Sequence, residues 1–202
     1  MKQTELVVQQ PALQTKRLVT VPLLSAVAFI LMYMEFPVPL IPAFLKLDLS
    51  TLPALIGGLM FGPAVGIMIE LIKNLLHLLL KNTDGMLIGE IANFIAGSCF
   101  VYGAVLMQKV RQGKAGLLMG LALGTIIMTV VMAVANVYVL FPAYAVVYQM
   151  SVEDLLRSFG LDSLWSLVMY AITPFNIIKG VVVSLIAYPI YVKLAPRLGL
   201  RR

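Results

Sequence analysis

A succession of long apolar runs constrains this chain more than any other feature. Arg17 to Met34, Pro63 to Leu80, Met86 to Val110, Ala115 to Phe141 and Leu164 to Val192 are each apolar with few or no charges. Crossing ~30 Å of hydrocarbon takes roughly 17–25 residues of helix, and every one of these runs is long enough. Composition agrees. Hydrophobic residues make up 61% of the chain and charged residues 12%, whereas a soluble domain carries about 25% charged residues. So few charges do not cover a soluble surface, which excludes a soluble enzyme, a DNA-binding domain and a disordered tail. The chain reads as an all-α polytopic membrane protein, one integral membrane domain over residues 1–202. Lys16 and Arg17 before the first run, with Ala26-Val27-Ala28 inside it, raise a signal-peptide reading. The run continues unbroken through Met34, so an uncleaved span is expected.

Between the first two helices lies Glu35 to Asp48, which holds Pro37, Pro39 and Pro42. Prolines at that density preclude a regular helix, because each lacks a donor and restricts its neighbour. A stretch that is apolar yet non-helical must be buried in protein or line a cavity. A short second helix follows, capped by Ser50 or Asp48, with Pro53 in its first turn. It is expected to be interrupted at Gly57-Gly58 and to end near Phe61-Gly62-Pro63. The expected architecture is therefore six transmembrane helices, the second short, with a Pro-rich outer lid loop between helices one and two. The fifth span should stop before Pro142, and Pro174 should kink the sixth. Ser151 to Asp162 predicts a short surface helix that starts at Ser151, with Glu153 and Asp154 in its first turn.

Charge distribution orients the bundle. With both termini cytoplasmic, the inner segments hold Lys2, Lys16, Arg17, Lys109, Arg111, Lys114, Lys193, Arg197, Arg201 and Arg202 against the single acid Glu5. The outer segments hold Lys46, Lys81 and Arg157 against six acids: Glu35, Asp48, Asp84, Glu153, Asp154 and Asp162. An excess of Lys and Arg marks the cytoplasmic side. The basic residues lie in loops and ends rather than on one face, so no nucleic-acid partner is expected. Cys99, the only cysteine, forms no internal disulfide and reads as a small buried thiol. One histidine and one cysteine make no metal cluster. No H-E-x-x-H, G-x-S-x-G or P-loop occurs, which disfavours an intramembrane enzyme and leaves the chain without an ATPase motif of its own.

Five ionisable residues remain inside the spans: Glu70, Lys73, His77, Glu90 and Lys179. Such residues usually face the bundle interior and mark function. Glu70, Lys73, Asn74 and His77 follow i, i+3, i+4, i+7 spacing and share one helix face. A helix-internal ion pair fits Glu70 and Lys73 as well as a functional role does, and His77 alone fits a structural residue better than a ligand. Depth says more. Asn74 and His77, Glu90 and Asn93 with Gly97 on the same face, and Asn136 fall in the outer parts of their helices, and Thr173, Asn176 and Lys179 descend from the outer half of helix six towards the midplane. Unpaired polar groups in hydrocarbon each cost several kcal/mol. Their shared depth points to an outward-facing cavity that holds a polar ligand beneath the Pro-rich segment, with a purely structural polar knot as the alternative.

Several strings resemble the substrate-binding S-components of energy-coupling-factor (ECF) vitamin transporters, and among them the riboflavin-specific ones. They are Glu35-Phe-Pro-Val-Pro-Leu, Phe44-Leu-Lys-Leu-Asp48-Leu-Ser50, Leu52-Pro-Ala-Leu-Ile-Gly57, Ile72-Lys-Asn-Leu-Leu-His77-Leu-Leu, Gly89-Glu-Ile-Ala-Asn93-Phe and Thr173-Pro-Phe-Asn-Ile-Ile-Lys179-Gly. The resemblance implies a six-helix membrane protein that binds riboflavin near the outer face as a transported ligand, with no resident cofactor. It also implies that the first loop closes over the ligand. The implied partners are a transmembrane T-component and two cytoplasmic ATPase subunits that drive toppling and release. Family members contact the T-component through two small residues, typically alanines, on helix one. Here that pair is Pro22 and Ala26, and the proline departs from the pattern.

For a flavin, the uracil-like edge suits Asn136, Asn176 and Lys179, and the ribityl hydroxyls suit Thr173, Asn93 or lid backbone. Gly97 allows a flat ring to lie against helix backbone, while Phe44 and Leu45, continuing through Leu47, supply apolar cover. For Lys46 and Asp48 a lid salt bridge or a helix cap fits as well as ligand contact. The competing function is a stand-alone proton-coupled transporter that uses Glu70, Glu90 or His77 as a relay.

Overall fold

A computed structural model describes the backbone over residues 2–39, 41–42, 45–81, 87–160 and 162–194, and side chains within those ranges from 14 to 193. Helix α1 (Lys2–Tyr33) starts well before the first apolar run, so the expected span near Arg17 is its second half. The following loop is not wholly irregular. Strand β1 (Phe36–Pro37) pairs antiparallel with β2 (Lys46–Leu47), with Phe36 opposite Leu47 and Pro37 opposite Lys46. Proline is tolerated there because a two-stranded ribbon has free edges on which a missing donor costs little.

Helix α2 (Thr51–Phe61) runs uninterrupted through Gly57 and Gly58, contrary to the expected break. Both glycines serve packing, since a Cβ on Gly58 would meet Val101 and Val105 at 3.0 Å. Eleven residues make a helix about 16 Å long, short of a ~30 Å hydrocarbon core. Gly62, with φ +102°, ends it and lets α3 (Pro63–Lys81) begin at once. Helix α4 (Leu87–Val110) returns, and α5 (Gly113–Ala135) packs closely along it.

Two π-helical turns set the upper ends of the long helices. One, Asn136–Leu140, joins α5 to α6 (Phe141–Tyr148); the other, Val168–Ile172, joins α8 (Leu164–Leu167) to α9 (Thr173–Leu194). The fifth span therefore does not stop before Pro142 but runs from Gly113 to Tyr148. A proline lacks an N–H and its ring clashes with the carbonyl four residues earlier. For Pro142 and Pro174 those carbonyls belong to Tyr138 and Tyr170, and both fall within the π turns. The wider turn bonds Phe141 N–H to the Asn136 carbonyl and Thr173 N–H to the Val168 carbonyl, which carries the helix past each proline. Helix α7 (Val152–Ser158) is the expected surface helix, with the Ser151 hydroxyl accepting from the Asp154 N–H as its cap.

Among the described residues, five helices are long and apolar enough to cross a membrane: Gln14–Tyr33, Pro63–Lys81, Leu87–Val110, Gly113–Tyr148 and Leu164–Lys193. Many of their large apolar side chains are exposed, as expected when lipid rather than water is the solvent. Cys99, expected to be buried, is half-buried against that core.

Candidate ligand-binding site

The shared polar face of α3 turns inward as its spacing predicts. Glu70, Lys73, Asn74 and His77 are all buried. Lys73 Nζ lies 2.7 Å from Glu70 Oε2 and also donates to the Ser50 hydroxyl. Gly97 on α4 makes room for that pair, because a Cβ there would stand 2.4 Å from the Glu70 carboxylate. Asn74 donates back to the Glu70 carbonyl at 2.8 Å.

The end of the first loop docks onto this layer through Asp48, which is 1% exposed. One carboxylate oxygen accepts from the Ser50 N–H at 2.8 Å and from the Ser50 hydroxyl. The other accepts from Asn93 Nδ2 and from Lys179 Nζ, each at 2.9 Å. Ser50 directly precedes α2 and its side chain makes no capping bond; the Asp48 carboxylate instead accepts from the Ser50 N–H. Burial opposes ionisation of Asp48. The Lys179 and Lys73 ammoniums and the Ser50 hydrogen bond outweigh it and hold the carboxyl well below the usual carboxylate range.

A second ionic cluster lies at the rim. Glu35 accepts Lys46 at 3.3 Å, faces Lys81 at 3.5 Å and lies 4.0 Å from His77 Nε2. His77 Nδ1 is 3.0 Å from Glu90. Lys81 also donates to the Tyr33 carbonyl at 2.7 Å and sits over the Tyr33 ring. These contacts bind the first loop to the ends of α1, α3 and α4.

Between strand β2 and the helices lies a cavity of about 70 Å³. Leu45 and Lys46 cover it. Its walls come from Gly89, Ala92, Asn93 and Ala96 on α4, Met132, Asn136, Leu140 and Tyr144 on the α5–α6 span, and Phe175, Asn176 and Lys179 on α9. Asn136 and Asn176 each donate one amide hydrogen to the carbonyl four residues back, at 2.8 Å, which fixes their orientation. Asn136 opens one π turn and Asn176 bonds back to Ile172, the last residue of the other, where the ladder is already loosened.

Of the residues singled out in the sequence, the structure gathers Leu45, Lys46, Asn93, Asn136, Asn176 and Lys179 around this cavity. Leu47, Asp48, Gly97 and Thr173 do not line it: Leu47 is buried against the core side, Asp48 stands behind Lys179, and Gly97 accommodates Glu70. Phe44 lies outside the described residues. Tyr144, Phe175, Met132 and Leu140 line the cavity without having been singled out, since nothing in the sequence separates them from other apolar span residues. Pro22 and Ala26 share an exposed face of α1. No group of three metal-ligating side chains occurs among the described residues.

Comparison with known proteins assigns the family. The model of the ECF transporter substrate-specific component matches residues 16–191. The chain belongs to this family. The S-component is 38% identical over 182 residues to "Riboflavin transporter RibU" of Staphylococcus aureus (strain TCH60), covering 90% of this chain and 92% of the relative. It is 37% identical over 186 residues to "Riboflavin transporter FmnP" of Bacillus subtilis (strain 168), covering 91% and 94%. A solved structure described as the S component of a bacterial ECF transporter superimposes with a TM-score of 0.74 at 38% identity, covering 92% of this chain and 98% of that one.

Proposed function

We propose that this S-component binds riboflavin in the cavity beneath the lid strand and takes it up together with an ATP-driven ECF module. The observation that carries the reading is the cavity lining, in which Asn93, Asn136, Asn176 and Lys179 stand among Leu45, Met132, Leu140, Tyr144 and Phe175. An isoalloxazine has flat apolar faces and one edge rich in donors and acceptors, and this lining matches both. Two relatives described as riboflavin transporters support the same ligand. The cavity of about 70 Å³ takes a few waters rather than a tricyclic ring. Loading therefore requires Leu45 and Lys46 to move outward, with the Pro-rich loop acting as the lid.

The remaining parts of the reading follow from charge and energetics. The bundle has six membrane segments, with α2 a partial one, and both termini cytoplasmic, because the basic residues concentrate on that side. A ligand held at nanomolar strength sits about 12 kcal/mol below its free state. Inward release then needs an outside source of free energy, which ATP hydrolysis on partner subunits supplies. The exposed α1 face at Pro22 and Ala26 offers the docking side for the T-component.

Calorimetry on the detergent-solubilised chain with riboflavin tests the ligand. Lys179→Ala and Asn136→Ala should each weaken binding by about 1–3 kcal/mol, the worth of a buried or charge-assisted hydrogen bond. Wild-type affinity in both variants sinks the site. In liposomes, riboflavin uptake should require ATP and all partner subunits; accumulation by the lone chain under a proton gradient would instead establish a secondary transporter. In whole cells, a cysteine placed at Ser151, after Cys99 is removed, should react with an impermeant thiol reagent, and one at Gly113 should not.

A further inference from the structure

Lys179 and Asn93 both line the cavity, and both donate to the same oxygen of Asp48, at 2.9 Å each. Asp48 itself does not line it. It stands one layer back and is anchored through its other oxygen by the Ser50 N–H. An ionised carboxylate only accepts hydrogen bonds. It therefore fixes the Asn93 amide with its nitrogen toward the lid and leaves Oδ1, which is buried and has no hydrogen-bond partner, as the acceptor of that side chain. It also cancels the charge on Lys179. The adjacent Glu70–Lys73 pair, 2.7 Å apart, cancels itself. These four buried charges sum to zero, and Lys46, the other cation of the lining, is paired with Glu35 at 3.3 Å, so the wall presents a strong donor and an acceptor without an uncompensated cation.

We propose that Asp48 is a specificity-determining positioning residue, which neutralises Lys179 and orients Asn93 so that the cavity takes a neutral ring and loses the preference for anions that a lone Lys179 would impose. This rests on the flavin reading above. Oxidised isoalloxazine is neutral and carries carbonyl oxygens beside an N–H. Its two-electron reduced form is an anion at mildly alkaline pH, with its charge on the uracil-like side. A residue one layer behind the cavity then sets which charge state of the ligand it retains.

The test is the anaerobic reduction potential of riboflavin bound to the full detergent-solubilised chain at mildly alkaline pH. In Asp48→Asn the unneutralised Lys179 should favour the reduced anion about tenfold over the oxidised ring relative to wild type, which raises the potential by about 30 mV for a two-electron couple. Lys179→Met leaves Asp48 uncompensated and should lower the potential by a similar amount, while Asp48→Glu should stay near wild type. Purely structural damage weakens both forms alike and moves the potential in neither direction. An unchanged potential in Asp48→Asn, or shifts of the same sign in Asp48→Asn and Lys179→Met, overturns the proposal. If Asp48→Asn does not fold, the absence of a downward shift in Lys179→Met overturns it. A wild-type chain that retains riboflavin in neither state would overturn the flavin reading, and this role with it.

Discussion

Along the α4–α5 seam, Gly103, Gly120 and Gly124 bring two backbones into contact. A Cβ on Gly120 would stand 2.5 Å from the Ala104 carbonyl oxygen, and one on Gly124 2.5 Å from that of Phe100. At the junction of α3, α4, α9 and the first loop, Asp48, Ser50, Glu70, Lys73, Asn93 and Lys179 are held by charge and hydrogen bonds instead. Lipid tails are as apolar as leucine, so burial of apolar surface gives little drive to bring membrane helices together. Close contact of small residues is one solution, and at Gly103, Gly120 and Gly124 it sets backbone against backbone. Paired polar groups are the other. Two of the partners, Asp48 and Ser50, come from the loop before α2, so this junction depends on where that loop sits.

The largest effect expected from disturbing either region is at the buried pair. Lys73→Ala strands the Glu70 carboxylate in a fully buried site and should cost about 3–5 kcal/mol of stability, read as a loss of thermal stability in detergent. Glu70→Gln keeps the shape and a hydrogen-bonding group, and it should change riboflavin affinity less than Lys179→Ala does. Equal losses in those two variants would mean that the Glu70 layer and the cavity are one unit.

On the glycine seam, Gly120→Ala pushes a methyl against backbone that cannot rotate away. A cost of about 1–3 kcal/mol is expected, with riboflavin affinity nearly unchanged in the fraction that remains folded. A large affinity loss with normal stability would break the distinction between the two regions.

Acid should separate them further. The Asp48 carboxyl lies below its ordinary value in the folded chain. Its contribution is therefore complete above roughly pH 4, the usual carboxylate range, and is lost only as pH falls through the lower folded value. The gap in melting temperature between wild type and Asp48→Asn should hold steady from neutral pH to about pH 5 and narrow only in stronger acid. Gly120→Ala should show no comparable pH dependence.

The smallest effect belongs to the rim. Lys46 and Glu35 form a partly exposed pair at 3.3 Å. Lys46→Gln should alter stability by about 0.2–1 kcal/mol, and less at high salt. A salt-independent loss of several kcal/mol would place the rim with the buried junction.

Much of this was legible in the sequence because it is local. Apolar runs of sufficient length dictate helices in a membrane. The i, i+3, i+4, i+7 spacing puts Glu70, Lys73, Asn74 and His77 on one face wherever that helix sits, and Ser151 caps α7 through a bond three residues long. Three prolines keep the first loop from being helical. Asn136, Asn176 and Lys179 could be placed at one depth by counting residues along their spans. The family resemblance rested on short strings of this same local kind.

Only the tertiary structure decided which faces meet. Asp48 reaches Asn93 across 45 residues and Lys179 across 131, and no spacing rule relates them. Gly97 looked like a bed for a flat ring, but helix rotation puts the Glu70 carboxylate against it instead. The π turns before Pro142 and Pro174 carry both helices onward where proline alone reads as a stop or a kink, because neighbouring helices hold the continuation in place. Hydropathy and periodicity fix what each segment is. The rotation of each helix about its axis, set by small residues in close contact and by buried charges that must find partners, fixes what each side chain touches.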